Sequence, residues 1–139
     1  MHETGHGLYE QGLLEAHLGT PMGDSVSLAI HESQSRMWEN QVGRSEPFWR
    51  WCYPRMKELL GSCVSQLSFA EVYGGANIVK PDFIRVEADE ATYNMHIMIR
   101  FEMERDLMKG SLSVPDIPEA WNHKYREYLG IDVPSDAKG

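Results

Sequence analysis

At 139 residues, 42% of them hydrophobic and 24% charged, the chain has the length and composition of one soluble globular domain. Its net charge of −8 argues against a nucleic-acid surface, and no basic stripe interleaved with aromatics offsets it. The longest uncharged apolar stretches fall well short of the roughly 20 residues that a membrane span needs. Cys52 and Cys63 match no metal or redox spacing and read as buried free thiols of a reducing cytoplasm.

Glycine and proline divide the chain into helices with one extended interlude. A first helix is expected from Met1 to about Gln11, stopped by Gly12, and Gly19 to Gly23 is a loop. Asp24 or Ser25 caps a second helix, with Val26, Ala29, Ile30, Met37 and Trp38 as its apolar stripe, ending near Gly43. Ser45-Glu46-Pro47 starts a third, with Phe48, Trp51, Cys52, Met56, Leu59, Leu60, Cys63 and Val64 inward and a break or kink at Pro54. A short helix over Phe69 to Tyr73 precedes Gly74-Gly75. Ile78, Val79, Phe83, Ile84 and Val86, interrupted by Pro81-Asp82, predict two short strands or a small β hairpin. A long helix over Ala88 to Lys109 is closed by Gly110, and a last one over Glu119 to Leu129 by Gly130. The expected class is mainly α.

The chemistry concentrates in His2-Glu3-Thr4-Gly5-His6 and His31-Glu32-Ser33-Gln34. Residues four apart lie on one helical face, about 5–6 Å between Cβ atoms, so His2 and His6 can both aim a ring nitrogen at one cation. Glu3, turned about 100° from His2, sits beside that ion in a general base's position. Catalytic zinc usually takes three protein ligands, and Glu32 on the following helix is the candidate third. His31 suits a packing or orienting role, His96 a core position. Arg36 is expected to pair with Glu32 or Asn40. Tyr9, Tyr73 and Tyr93 are alternatives for a hydrogen bond to an oxyanion, and Phe48-Trp49-Arg50-Trp51 suits a core or a subunit interface.

His2-Glu3-Thr4-Gly5-His6-Gly7-Leu8-Tyr9-Glu10-Gln11-Gly12, His31-Glu32-Ser33-Gln34-Ser35-Arg36 and Ile84-Arg85-Val86-Glu87-Ala88-Asp89 resemble, in order and spacing, three successive motifs of the carboxypeptidase Taq family. The resemblance covers essentially this whole chain but only the central-to-late part of that longer, mostly helical family. Residues 1–139 are therefore expected to be part of the catalytic domain of a larger metallocarboxypeptidase. The family's upstream H-P-F and D-x-R-x-T motifs and its downstream G-x-x-Q-D-x-H-W are absent, although Gly139 could open the last.

The resemblance implies release of single C-terminal residues from peptide substrates with zinc or another divalent ion such as cobalt, usually in homodimers. It implies His2, His6 and Glu32 as metal ligands, Glu3 as the group that activates water, and Arg85 and Asp89 in a motif that shapes the substrate site. Arg85 has two readings: a bidentate contact to the substrate's terminal carboxylate, or a structural ion pair with Glu87 or Asp89. The alternatives for the whole are a related zinc endopeptidase or aminopeptidase, and a truncated, inactive module that folds and binds metal.

Overall fold

The computed structural model describes residues 1–138, which form two compact units, 1–76 and 77 onward. The described residues hold six α-helices joined by short 3-10 turns and loops, with no strand.

The first unit contains α1 (His2–Gln11), α2 (Leu28–Arg36), α3 (Glu46–Leu60) and α4 (Phe69–Ala76). Their starts are written locally. Ser27 Oγ accepts from Ile30 N at 3.2 Å, and Ser45 Oγ accepts from Phe48 N at 3.3 Å. Before α4, Ser68 and Glu71 satisfy each other: Ser68 N donates to Glu71 Oε2 at 2.8 Å, and Glu71 N donates to Ser68 Oγ at 3.3 Å. Pro54 lies inside α3, which continues through it to Leu60. Past α2 the chain widens into a π turn over Met37–Val42, closed by Gly43 N donating to Trp38 O. Val26 lies outside the helix and is 81% exposed.

The crossing of α1 and α2 is set by small residues. Gly5 is buried, and a Cβ there would meet Ser35 Cα at 2.6 Å. Ser35 is itself fully buried and turns its hydroxyl back to Glu32 O at 2.8 Å. No larger pair fits. The expected inward face of α3 is open instead, with Trp51, Leu59 and Leu60 exposed, and Cys63 is an exposed free thiol rather than a buried one.

The second unit pairs α5 (Tyr93–Lys109) with α6 (Ile117–Leu129), each closed by a left-handed glycine, Gly110 at φ 74° and Gly130 at φ 68°. Ile99, Met103, Tyr125 and Leu129 are its buried centre, with Phe83, Met95, Leu112, Ile117 and Trp121 packed around them. Phe101, an apolar residue of α5, is exposed.

The small β hairpin expected over residues 77–86 is not there. That segment runs as irregular coil into a 3-10 turn, Arg85–Glu87. Pro81 has no N–H to give a ladder, Lys80 N donates to Asp89 Oδ2 at 2.8 Å, and Phe83 O accepts the Tyr125 hydroxyl at 2.9 Å. Polar groups that a partner strand would satisfy are taken by side chains. The same Asp89 delays α5: Oδ1 accepts from Ala91 N and Thr92 N, and Oδ2 also accepts from the Thr92 hydroxyl, so regular helix begins at Tyr93 rather than Ala88.

Candidate metal centre

His2 and His6 stand one turn apart on α1, and the close crossing at Gly5 and Ser35 brings Glu32, one turn before Ser35 on α2, up to them. His2 Nε2 lies 3.2 Å from His6 Nε2, 3.6 Å from Glu32 Oε1, and His6 Nε2 lies 3.4 Å from Glu32 Oε2. Among the described residues these three are the group whose ligand atoms converge, all within 4.8 Å of one another. A tetrahedral ion with bonds of about 2.0–2.1 Å spaces its ligand atoms about 3.3–3.4 Å apart.

The outer nitrogens show why two imidazoles converge. His2 Nδ1 faces Glu39 Oε2 at 2.7 Å, and a carboxylate only accepts, so in the neutral ring Nδ1 carries the proton and Nε2 is a bare lone pair. His6 Nδ1 lies 2.6 Å from His31 Nδ1, while His31 Nε2 lies 2.7 Å from Glu10 Oε1. Glu10 again takes an N–H. With one proton on each ring, His6 Nδ1 donates to His31 and His6 Nε2 is bare too. Two lone pairs and a carboxylate then meet in one space, a donor set that fits a divalent ion.

Arg36 Nη1 donates to Glu39 Oε2 at 2.7 Å, a partner the sequence did not point to. Tyr9 packs edge-on against His31 with ring centroids 5.0 Å apart, and its hydroxyl accepts from Val26 N at 3.3 Å. Glu3 is exposed, one residue past His2. Sequence reasoning did not pick out Glu10 or Glu39. Glu10 had a signal: it follows His6 by four residues, on the same face of α1.

In the second unit, Arg85 donates from Nη1 to the Tyr93 hydroxyl at 2.8 Å, its guanidinium over that ring at 5.6 Å. Among the described residues no ion pair joins it to Glu87 or Asp89. Asp89 is buried and its two oxygens accept four hydrogen bonds. Burial pushes its carboxyl up, but those bonds, from Thr92 N, Lys80 N, the Thr92 hydroxyl and Ala91 N, outweigh it and hold the group below the ordinary carboxylate value. His96 is fully buried, with Nδ1 3.2 Å from the Tyr125 hydroxyl. Burial first, then the Arg100 charge, hold its imidazole below the ordinary histidine value.

The sequence matches the family model described as carboxypeptidase Taq (M32) metallopeptidase over residues 1–139. The chain belongs to that family. It is 54% identical over 138 residues to thermostable carboxypeptidase 1 of Thermus thermophilus, covering 99% of this chain and 27% of that protein. With carboxypeptidase 1 of Bacillus subtilis the identity is 45% over 139 residues, 100% of this chain and 28% of the relative. The M32 carboxypeptidase of Deinococcus radiodurans superposes with a TM-score of 0.92 at 46% identity, over 97% of this chain and 27% of its own. A Pyrococcus furiosus carboxypeptidase gives 0.93 at 46%, over 98% and 27%. This M32 chain thus spans about a quarter of the length of the relatives it matches, and its all-helical fold is theirs over that span.

Proposed function

We propose that this chain carries the metal centre of a metallocarboxypeptidase that releases C-terminal residues from peptides, with His2, His6 and Glu32 holding zinc or another divalent ion such as cobalt. The observation that carries it is the convergence of two imidazole Nε2 atoms and a carboxylate at the ligand spacing of a small cation. Membership of a metallopeptidase family and the names of the relatives support it.

A divalent ion held there supplies positive charge that polarises a carbonyl and makes nearby water more acidic. Glu3 accepts the proton of the attacking water and returns it to the leaving amine. Its exposed position leaves it open to both. Glu39 on one side, and His31 with Glu10 on the other, hold the two imidazoles. Arg85 reads the substrate's terminal carboxylate through its planar guanidinium, presented by Tyr93. Asp89 shapes the substrate site at one remove: its four hydrogen bonds pin Lys80 and the start of α5, and with them the turn that carries Arg85. Homodimers and a cytoplasmic place belong to the same proposal, supported by the open face of α3 and by Cys52 and Cys63, which form no disulfide. No helix among the described residues is long and apolar enough to cross a membrane.

The test uses the full-length protein with paired free-acid and amidated peptides. Glu3→Gln is expected to keep metal and lose about 10²–10⁴-fold in kcat. Arg85→Ala is expected to lose about 2–5 kcal/mol in kcat/KM on free acids and little on amides. Cleavage that ignores the C-terminal carboxylate would make the enzyme an endopeptidase or aminopeptidase, and loss of metal in Glu3→Gln would make Glu3 a ligand.

A further inference from the structure

We propose that Glu39 and the His31-Glu10 pair are positioning residues that set how tightly this chain holds a divalent ion, each fixing one imidazole with its Nε2 bare. The inference rests on the metal-centre reading above and concerns groups that need not touch the ion.

The two arms are built differently. His2 is fixed in one step, by Glu39 Oε2 at 2.7 Å, an oxygen that also accepts from the Arg36 guanidinium at 2.7 Å. His6 is fixed in two: Glu10 takes the Nε2 proton of His31, which leaves His31 Nδ1 as acceptor for the His6 Nδ1 proton at 2.6 Å. Were the His31 proton on Nδ1 instead, His6 would have to present its bare nitrogen to His31 and its N–H to the ligand space, where it could bind no cation. Glu10 and His31 therefore select the tautomer of His6. Different elements supply the arms. Glu39 comes from the π turn after α2, His31 from α2 and Glu10 from α1. They share no residue.

Zinc affinity, measured by competition with a chromophoric chelator, reads this without reference to turnover. Glu39→Ala and His31→Phe are each expected to weaken Zn²⁺ binding about 10–100-fold. Glu39→Gln and His31→Gln are expected to restore part of it, because an amide oxygen still accepts the Nδ1 proton. Combining Glu39→Ala with His31→Phe should multiply the losses, since the arms are separate. Combining His31→Phe with Glu10→Ala should add little, since one arm is already cut. Far-ultraviolet circular dichroism without metal identifies any variant that has merely unfolded, and for such a variant the glutamine substitution carries the comparison. Wild-type protein that binds Zn²⁺, with folded Glu39 and His31 variants binding within about twofold of it, overturns the positioning roles alone. Wild-type protein that takes up no Zn²⁺ overturns the metal centre and this inference together.

Discussion

The two units of this chain are held together by different physics. In the second, Ile99, Met103, Tyr125 and Leu129 are buried, and full burial of such a side chain stabilises by about 1.5–3 kcal/mol. In the first, no large apolar side chain is buried; Gly5, Gly23 and Ser35 are. Its helices meet backbone to backbone at Gly5 and Ser35 and are tied by His2 to Glu39, His6 to His31 and His31 to Glu10. The unit with the candidate site thus has a framework of hydrogen bonds around two imidazole nitrogens and a carboxylate, which on the proposed reading gains strength when a cation joins it. Among the described residues the other unit holds no such donor set.

The sharpest way to break that contrast is in the apolar unit. Tyr125→Ala removes a fully buried ring and the hydroxyl that donates to Phe83 O, and it should cost about 3–5 kcal/mol by denaturant unfolding. The Zn²⁺ affinity of the first unit should not change.

Gly5→Ala is the converse. A Cβ 2.6 Å from Ser35 Cα meets backbone, which cannot swing aside, so α1 and α2 must separate. Overpacking of this kind costs about 1–3 kcal/mol, and Glu32 should withdraw from His2 and His6 with it. The expected readout is lost Zn²⁺ binding at a modest loss of stability, whereas a variant that binds as wild type would show that the crossing does not set the site.

Acid should sharpen the contrast by the smallest amount. The folded-state pKa of His96 lies below its ordinary value of 6.5, so the unfolded chain takes up that proton first. The stability tied to His96 is complete above 6.5 and declines as pH falls from there through the folded value. Urea unfolding of the second unit at pH 7 and pH 5 should show the loss, and His96→Leu should flatten it.

The candidate ligands were legible because their spacing is local: a step of four from His2 to His6, and one helix on to Glu32. Helix ends were legible too where a serine cap or a left-handed glycine marks them, as at Ser45, Gly110 and Gly130. The hairpin was misread because Ile78, Val79, Phe83, Ile84 and Val86 do have strand character. Sequence periodicity does not show that Asp89 and Tyr125 will claim the backbone between them. Glu39 was missed for a geometric reason. It follows Arg36 by three residues, ordinary helical spacing, but nothing local in the sequence shows that His2 of α1 will meet it. The open face of α3 was equally hidden, since an apolar stripe announces that it must be covered and not by what.

Hydrogen exchange across the whole chain, with and without Zn²⁺, tests the central claim most directly. Ligand at about 100 times its dissociation constant stabilises whatever it binds by about 2.7 kcal/mol. The predicted result is that amides of α1, α2 and the π turn gain protection of that order while those of α5 and α6 keep theirs. Protection unchanged in α1 and α2, or raised equally in α5 and α6, would contradict it.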